Sequence, residues 1–464
     1  MKTLRLVFTL LTLLTVGANL TAAEPSEYQT LFNGKNLDGW EVNKFAGAGE
    51  VKVENGNIVL GTGLALTGIR RKEVPFKNNY EIEVKAKKIE GDDFFCGITF
   101  PVKESHATFI GGGWGGSLVG ISSIDGLDAS ENDATKYMKF EKNKWYLIKI
   151  RVTDTKIEVW VNQEKLINAN IKGKRISMRP GEIEDAVPFG ISSYQTTSEI
   201  GSVRVRSVPS HIPTIAMIAG KKSHGPGEHE YEKSLKLLQE KLEGAVEFIN
   251  TQVFIEGWPF DDEQLDDADT IVIFCDGADH GISNDPLLLG KRLKVLGKQM
   301  DRGAGLVCLH YSVIVPKEKG GEEFLKWLGG YFDYQTGTST NHWFSKIENR
   351  EFELYPASPE HPLCQGMEPF KLKEELYFNL RFPEDKKNIT PILTFDPQKK
   401  DWEKVVGWSL QRSDGGRGFG YTGGHYFKNF EIPVVQKLLL DAILWTAHAE
   451  NTHRREVNGK PKAD

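Results

Sequence analysis

Four histidines of this chain share one setting, because each follows a short apolar run or lies beside glycines. They are His224 and His229 in SHGPGEHEYE (223–232), His310 in GLVCLHYS (305–312) and His425 in YTGGHYF (421–427). Ligands of an open α/β sheet bind outside the carboxyl ends of its strands. Because histidines that follow strands meet at that edge, the sequence predicts one pocket that contains all four.

Glu375 and Tyr377 lie two residues apart in KEELYF (373–378), so on a strand their side chains share a face. Histidine together with glutamate and tyrosine suits proton transfer. Two or three of the histidines with Glu375 could also bind zinc or manganese and leave one position open. His224 and His229, five residues apart on a predicted loop, are not a local metal signature. The sequence therefore leaves the cofactor unknown, with a divalent metal as one alternative.

The predicted roles divide these side chains into two groups. The catalytic groups are His310, Glu375 and His425, and the substrate-binding groups are His224, His229 and Tyr377. Two of the histidines have an ordinary alternative, since His229 could flank a helix N-terminus and His310 could be a hydrogen-bonded core histidine. Asp276, Asp279 and His280 in the DGADHG segment are predicted as a polar turn rather than as part of the pocket.

Two further substrate-binding candidates lie in the first half of the chain. Trp114 is surrounded by glycines in GGGWGG (111–116), where its indole could stack on a sugar ring. The alternative is a β-bulge around a core tryptophan. Asp125 belongs to the acidic loop SSIDGLDASEN (122–132), which could bind a sugar hydroxyl or calcium. A solvated turn is the favoured interpretation of that loop.

The elements that position these residues follow from length, charge and periodicity. The chain has 464 residues, enough for two or three domains, and a formal charge of −6 without a basic stripe, which argues against nucleic-acid binding. Residues 1–23 have the basic start, apolar stretch and small residues of a cleavable signal peptide. No later stretch of sequence is apolar for long enough to span a bilayer. We expect an exported protein, periplasmic or secreted.

The two halves of the chain have different periodicity. Residues 28–208 alternate apolar and polar side chains, as in YEIEVKAKKI (80–89), which predicts an antiparallel β-sandwich. After a proline-containing linker, residues 212–448 alternate buried strands with helices, which predicts a doubly wound parallel sheet. One helix is predicted to begin at Asp285-Pro286. Residues 449–464 are predicted to be a polar tail.

Both halves resemble known families. Residues 212–448 are similar to the ThuA-like trehalose utilisation family, whose fold is class I glutamine amidotransferase-like and flavodoxin-like. The matching motifs are SHGPGEHEYE, GLVCLHYS, HPLCQGMEPFKLKEELY (361–377) and GRGFGYTGGHYF (416–427). Residues 28–208 resemble the 3-keto-disaccharide hydrolase family, a concanavalin-like sandwich, through LFNGKNLDGW (31–40) and KNKWYLIKIRVTDTKIEVWVNQEKL (142–166). In the ThuA-like family, the second acidic residue of the KEELYF segment and the tyrosine that follows it match Glu375 and Tyr377 of this chain.

The resemblance implies an enzyme that hydrolyses or eliminates 3-keto-disaccharides or related glycosides. A ketone at C3 acidifies the C2 hydrogen, so a base can remove it while an acid protonates the departing glycosidic oxygen. Members of the sandwich family often carry an Asn-Ser-Gly strand and a Glu-x-Gln strand, which residues 96–132 lack. Catalysis is therefore expected in the second half.

Two other functions are kept as alternatives. A non-catalytic carbohydrate-binding protein would use the sandwich to capture a glycan, and a sugar isomerase or epimerase would reprotonate the same enolate. Amidotransferase chemistry is not expected, because Cys308 is followed by Leu309 rather than by the small residue of a nucleophile elbow.

Overall fold

The structure is a computed structural model that describes residues 27–278, 285–335 and 342–450. The predictions that fall outside these residues are the signal segment 1–23, Asp279 with His280, and residues 451–464 of the tail. The chain divides into two compact units between His211 and Ile212. Within the described ranges, no helix is long and apolar enough to cross a bilayer. The four cysteines are buried free thiols.

The first unit consists of two antiparallel sheets. Its strands are β1 (Gln29–Thr30), β2 (Glu41–Val42), β3 (Val51–Glu54), β4 (Asn57–Leu60), β5 (Leu66–Arg71), β6 (Tyr80–Glu90), β7 (Cys96–Val102), β8 (Ser105–Gly112), β9 (Leu118–Ser122), β10 (Lys136–Tyr137), β11 (Trp145–Val152), β12 (Lys156–Val161), β13 (Glu164–Asn170), β14 (Phe189–Tyr194) and β15 (Thr197–Ser207). One sheet has the order β13-β12-β11-β6-β15-β4-β3 with β1 beside β15, and the other has the order β10-β9-β8-β7-β14-β5-β2.

The alternating pattern of the sequence explains the sandwich. Ile82 and Val84 of β6 and Ile98 and Phe100 of β7 are fully buried in one core between the sheets. In β6, Ile82 and Val84 alternate with the charged Glu81, Glu83 and Lys85, because successive side chains of a strand face opposite ways. The predicted all-β antiparallel sandwich is confirmed. Glu81 points away from the core as predicted, yet it is also fully buried.

The second unit combines nine strands with helices in its described residues. The strands are β16 (Thr214–Ala219), β17 (Asn250–Phe254), β18 (Thr270–Phe274), β19 (Gly305–Leu309), β20 (Lys346–Pro356), β21 (Phe370–Phe378), β22 (Ile389–Thr394), β23 (Val405–Gln411) and β24 (Arg417–Tyr421). The helices are α1 (Tyr231–Ala245), α2 (Arg292–Asp301), α3 (Glu322–Trp327) and α4 (Pro433–Thr446). The strand order is β17-β16-β18-β19-β24-β23-β22-β20-β21.

The sheet is mixed, which corrects the prediction of a parallel sheet. β17, β16, β18, β19 and β24 pair in parallel, whereas β23, β22, β20 and β21 continue the sheet with antiparallel pairings. Only residues 412–416 connect β23 to β24. A parallel crossover needs a dozen or more residues, so this short connection requires antiparallel strands.

Helices cover both faces of the parallel strands. Ile215 and Met217 of β16 pack in a core with α1 and α4, while Ala216 and Ile218 pack in a second core with α2 and α3. The prediction that an α-helix begins at Asp285 is wrong. The Asp285 carboxylate accepts a hydrogen bond of 2.8 Å from the Leu287 N–H and caps only a short turn, Pro286–Leu288. Gly290 then has φ 52°, and α2 begins two residues later.

Candidate active site

The pocket lies where the parallel strands end at one edge of the sheet. His310 directly follows β19, His425 follows β24 after three residues, and His229 comes from the loop before α1. The His229 backbone N–H donates a 2.9 Å hydrogen bond to the His425 carbonyl, which joins two of these loops. His229 and His310 have φ values of 44° and 48°, a left-handed conformation that is uncommon outside glycine and concentrated at functional sites.

His310 lies fully buried at the base of the pocket. Its Nδ1 is 2.7 Å from the Thr422 carbonyl oxygen, and its ring stacks on Tyr377 with centroids 4.6 Å apart. Its Nε2 is 3.0 Å from the Tyr377 hydroxyl and 3.1 Å from His229 Nε2. Burial, together with the nearby His229, lowers the pKa of His310 well below its usual value. This imidazole is therefore neutral near pH 7.

His229 connects His425 to a chain of polar groups. Its Nε2 lies 3.0 Å from His425 Nδ1, and its Nδ1 lies 2.8 Å from the Tyr231 hydroxyl. That hydroxyl donates to Asp276 Oδ1 over 2.6 Å, and the Ser223 hydroxyl donates to the same oxygen over 2.5 Å. Burial lowers the pKa of His229. Burial opposes the charge of Asp276, but hydrogen bonds from these neighbours outweigh it and hold its pKa below the usual value.

Glu375 brings a carboxylate to the three imidazoles. Its Oε1 lies 3.6 Å from His425 Nδ1 and 3.9 Å from His310 Nε2, and it accepts a 3.4 Å hydrogen bond from Tyr377. Burial raises the pKa of Glu375 and lowers the pKa of His425. The two shifts bring the carboxyl and the imidazole closer in pKa, which favours proton exchange between them.

The sequence-predicted residues of the second unit come together. One nitrogen from each of His229, His310 and His425 and one oxygen from Glu375 lie within 4.8 Å of one another. Imidazole nitrogen and carboxylate oxygen are ligands of zinc, so these four groups could hold a metal ion. His224 lies on the solvent side, exposed, with its ring centroid 3.6 Å from that of His229.

Three residues of the site were not predicted to belong to it. Asp276 was assigned to a polar turn, and Tyr231 to the apolar stripe of a helix. Glu374, next to the predicted Glu375, is buried and accepts hydrogen bonds from the backbone N–H groups of Gly424 and His425, of 3.0 and 3.2 Å. Burial raises the pKa of Glu374 to about 7. Asp276 had a usable signal, since it comes just after β18 as His310 comes after β19.

Trp114 lies in an open turn of the first unit rather than in its core. Its side chain is 46% exposed, its φ is 47°, and the Arg179 guanidinium lies 5.7 Å from the ring centroid. The indole lines a cavity of about 290 Å³ together with Phe94, Tyr194 and Asp128. The alternative of a core tryptophan is therefore wrong, and the role in sugar binding stays a prediction.

The acidic loop of the first unit uses its carboxylates to hold its own structure. Asp125 is exposed and accepts a 2.8 Å hydrogen bond from the Arg175 backbone N–H. Asp128 forms an ion pair with Arg179 over 2.7 Å. Asp125 does not line the cavity of Trp114. The two residues predicted to bind substrate in this unit are thus in different places.

Comparison with known proteins identifies both units. Residues 27–191 match the model of the 3-keto-alpha-glucoside-1,2-lyase-like domain, and residues 216–446 match the model of ThuA, described as trehalose utilisation. No curated protein matches the chain.

Several solved structures resemble parts of the chain at low identity. A protein of Bacteroides uniformis ATCC 8492 described as ThuA-like is 15% identical, with a TM-score of 0.39, covering 50% of this chain and 91% of its own. A protein of Parabacteroides distasonis ATCC 8503 described as a glycosyl hydrolase is 19% identical, with a TM-score of 0.26, over 39% and 94%. The carbohydrate-binding module CBM66 of Bacillus subtilis is 14% identical, with a TM-score of 0.25, over 36% and 96%.

The family matches follow the two units in chain order. The chain thus joins a domain of the 3-keto-alpha-glucoside-1,2-lyase-like family to a following domain of the ThuA family.

Proposed function

We propose that this protein is an exported enzyme whose ThuA domain breaks 3-keto-disaccharides or related 3-keto-glycosides by elimination, with or without subsequent hydration. The observation that carries the proposal is the Glu375 carboxylate, 3.6 Å from His425 and 3.9 Å from His310 in a half-buried pocket. A ketone substrate needs a base with a raised pKa and a positive pole for its oxygen, and this cluster supplies the residue types for both.

Glu375 is proposed as the base. It removes the C2 proton, and the electron pair of the C–H bond moves to the C3 oxygen as an enolate. When the enolate collapses, the C1–oxygen bond breaks and the departing oxygen takes the proton back from the Glu375 carboxyl. The products are an unsaturated 3-keto sugar and the free alcohol, and addition of water to the C1–C2 double bond completes a net hydrolysis.

The predicted catalytic histidines have a different part in this scheme. His310 is neutral and fully buried, so it is poorly suited to deliver protons. His310, His229 and His425 instead line the place next to Glu375 where the ketone oxygen would lie, and His425, when protonated, carries the positive charge that stabilises the enolate. Tyr377, 3.0 Å from His310 Nε2, supplies a hydroxyl donor in the same place.

The test compares substrates and matched glutamate variants. The wild-type protein should release glucose or its ketone from 3-keto-trehalose and leave trehalose intact. Glu375→Gln should abolish the release, while Glu351→Gln, which changes an exposed glutamate of β20, should leave it unchanged. Equal rates on trehalose and 3-keto-trehalose, or full activity of Glu375→Gln, would reject the proposal.

Two other functions share part of the support. An isomerase or epimerase would use the same enolate and return the Glu375 proton to carbon, and deuterium incorporation at C2 without cleavage would favour it. A carbohydrate-binding role for the first unit is favoured by the exposed indole of Trp114 beside a cavity. Glycan binding without turnover by the whole chain would favour that function.

Export and the finer fold class belong to the same proposal. N-terminal sequencing of the protein recovered from outside the cytoplasm should begin near residue 24 if residues 1–23 are a signal peptide.

A flavodoxin-like core is supported by the order β17-β16-β18-β19-β24, because the parallel strands then follow the 2-1-3-4-5 order of that fold.

A further inference from the structure

We propose that His229, His310 and His425 bind one divalent transition-metal ion of the zinc class, and that Tyr231 and Asp276 hold His229 in the ligand tautomer. Three nitrogen ligands with an open position are the arrangement of catalytic zinc sites. Glu375 lies beside that position, where it remains free to act on a substrate.

The first step of the argument is the tautomer of His310. Its Nδ1 lies 2.7 Å from the Thr422 carbonyl oxygen, which accepts hydrogen bonds and has no proton to donate. Nδ1 must therefore carry the proton. In a neutral imidazole the other nitrogen is then bare, so His310 presents the lone pair of Nε2 to the centre of the pocket.

The second step applies the same reasoning to His229. The single proton of the Tyr231 hydroxyl is donated to Asp276 Oδ1 over 2.6 Å, because a carboxylate only accepts. The hydroxyl oxygen can then only accept from His229 Nδ1, 2.8 Å away. His229 therefore carries its proton on Nδ1, and its Nε2 is bare as well.

The third step concerns the contact between these two atoms. His229 Nε2 and His310 Nε2 lie 3.1 Å apart, and both are lone-pair acceptors. Two lone pairs that face each other at this distance repel, although the Tyr377 hydroxyl also lies 3.0 Å from His310 Nε2. A cation between the two nitrogens removes that repulsion. In a tetrahedral site with zinc–nitrogen bonds of about 2.0–2.1 Å, neighbouring nitrogens are about 3.3 Å apart. The observed separation is close to that value.

The third ligand completes the set. His425 Nδ1 lies 3.0 Å from His229 Nε2, and its other nitrogen lies 3.7 Å from Glu228 Oε1. The second nitrogens of His229 and His310 thus each donate a hydrogen bond to an oxygen, which is the outer arrangement typical of histidine ligands, and that of His425 lies within ion-pair distance of Glu228. Imidazole donors select zinc, copper, iron or nickel over magnesium and calcium. A zinc-class ion is therefore the expected occupant.

The direct test is metal binding by the full chain. Protein stripped with a chelator should bind one Zn²⁺ per chain in a calorimetric titration and should bind no Ca²⁺. His425→Ala should lose this binding. His448→Gln, which removes a histidine elsewhere in the same unit, should keep it. A wild-type chain that binds none of Zn²⁺, Co²⁺ and Ni²⁺, or a His425→Ala variant with unchanged Zn²⁺ affinity, would overturn the proposal.

The positioning role of Asp276 and Tyr231 needs a separate readout. Asp276→Asn and Tyr231→Phe should weaken Zn²⁺ binding by about 10- to 100-fold, as outer partners of histidine ligands do. Nitrogen-15 NMR should show His229 protonated at Nδ1 in the wild-type metal-free protein and a mixture of tautomers in either variant. Unchanged Zn²⁺ affinity and an unchanged tautomer in both variants, with folded spectra, would reject the role.

These tests do not depend on the proposed substrate. A chain that binds zinc but leaves 3-keto-trehalose intact keeps the metal site and rejects the proposed reaction. A chain that is active on 3-keto-trehalose yet binds no transition metal keeps the reaction and rejects the metal site.

Discussion

Both domains bury a cluster of ionisable side chains, but the two clusters differ in how their charges are matched. In the sandwich, Glu81 is surrounded by cations of its own chain. In the ThuA domain, nitrogen lone pairs and a carboxylate face one another. The first cluster is complete as it stands and acts on stability. The second needs a positive partner, which is what a binding or catalytic site requires.

The sandwich cluster shows how a buried charge is satisfied internally. The Glu81 carboxylate accepts hydrogen bonds of 2.9 and 2.8 Å from Arg151, of 3.1 and 2.7 Å from Arg206, and of 2.5 Å from Tyr28. Burial opposes its charge, yet Arg151, Lys149 and Arg206 together lower its pKa to about 2. No lone pair of this carboxylate is left facing another acceptor.

The largest expected effect is that of His425→Ala, which should reduce activity but not stability. His425→Ala should reduce turnover of 3-keto-trehalose by about 10²- to 10³-fold, the usual contribution of a group that stabilises the developing negative charge. The melting temperature of the metal-free protein should not fall, because the change removes one of several acceptors that face each other. Steady-state kinetics and calorimetry check the two expectations. A large loss of stability with little loss of activity would make the pocket resemble the sandwich cluster.

The converse change should affect stability alone. Glu81→Gln removes the buried carboxylate that pairs with Arg151 and Arg206, although Arg151 keeps Glu158 at 3.7 Å, and should lower the free energy of unfolding by about 3–5 kcal/mol. Urea unfolding of the variant checks the value. Glu54→Gln breaks the exposed Lys52–Glu54 pair and should cost less than about 1 kcal/mol. A Glu81→Gln variant as stable as Glu54→Gln would mean that the sandwich cluster does not stabilise the fold.

The two domains should also lose stability in different pH windows. Burial lowers the pKa of His361 in the ThuA domain to about 4, so its neutral form stabilises the fold above the usual histidine pKa. That contribution is lost as pH falls from about 6.5 to 4. The depressed pKa of Glu81 gives a contribution present above about 4.5 and lost as pH falls towards 2. Calorimetric scans from pH 8 to 3 should show the ThuA domain weaken first, and His361→Asn should reduce that early loss, to which the lowered pKa values of His229 and His310 also contribute.

The smallest expected effect concerns the exposed indole of the sandwich. Trp114→Ala should change the free energy of unfolding by no more than about 0.5 kcal/mol, because the side chain is outside the core. It should weaken glycan binding by about 1 kcal/mol if the ring stacks on a sugar. Titration with trehalose and 3-keto-trehalose measures this, and Tyr137→Ala, which removes another exposed ring, is the control. Unchanged affinity would leave the sandwich without a binding role at Trp114.

Much of the fold follows from local patterns. Period two in the first half predicts the sandwich, and the apolar runs of the second half predict three of the five parallel strands, β16, β18 and β19. The antiparallel extension was missed because the direction of β20 to β23 depends on short connections rather than on the residue pattern of each strand. The start of α2 was misplaced because Asp285 does cap a turn, which Gly290 then ends before the helix begins.

The candidate site was predictable in part, because local sequence patterns locate the strand ends. Histidines after strands meet at one sheet edge by a general property of parallel sheets, so the sequence indicated four of the side chains. Asp276 and Glu374 were missed because they belong to the site through hydrogen bonds to residues that are distant in the sequence. Glu374 is fixed by Gly424 and His425, some 50 residues away along the chain.

The amino-acid sequence by itself determined which chemical groups are available and at which edge of the second domain they gather. The tertiary structure alone decided which atom of each group faces the centre. The tautomer of His310 depends on the Thr422 carbonyl, 112 residues away, and that of His229 on the Tyr231–Asp276 pair. A proton position is set by the neighbouring donor or acceptor, and those neighbours exist only once the strands are assembled.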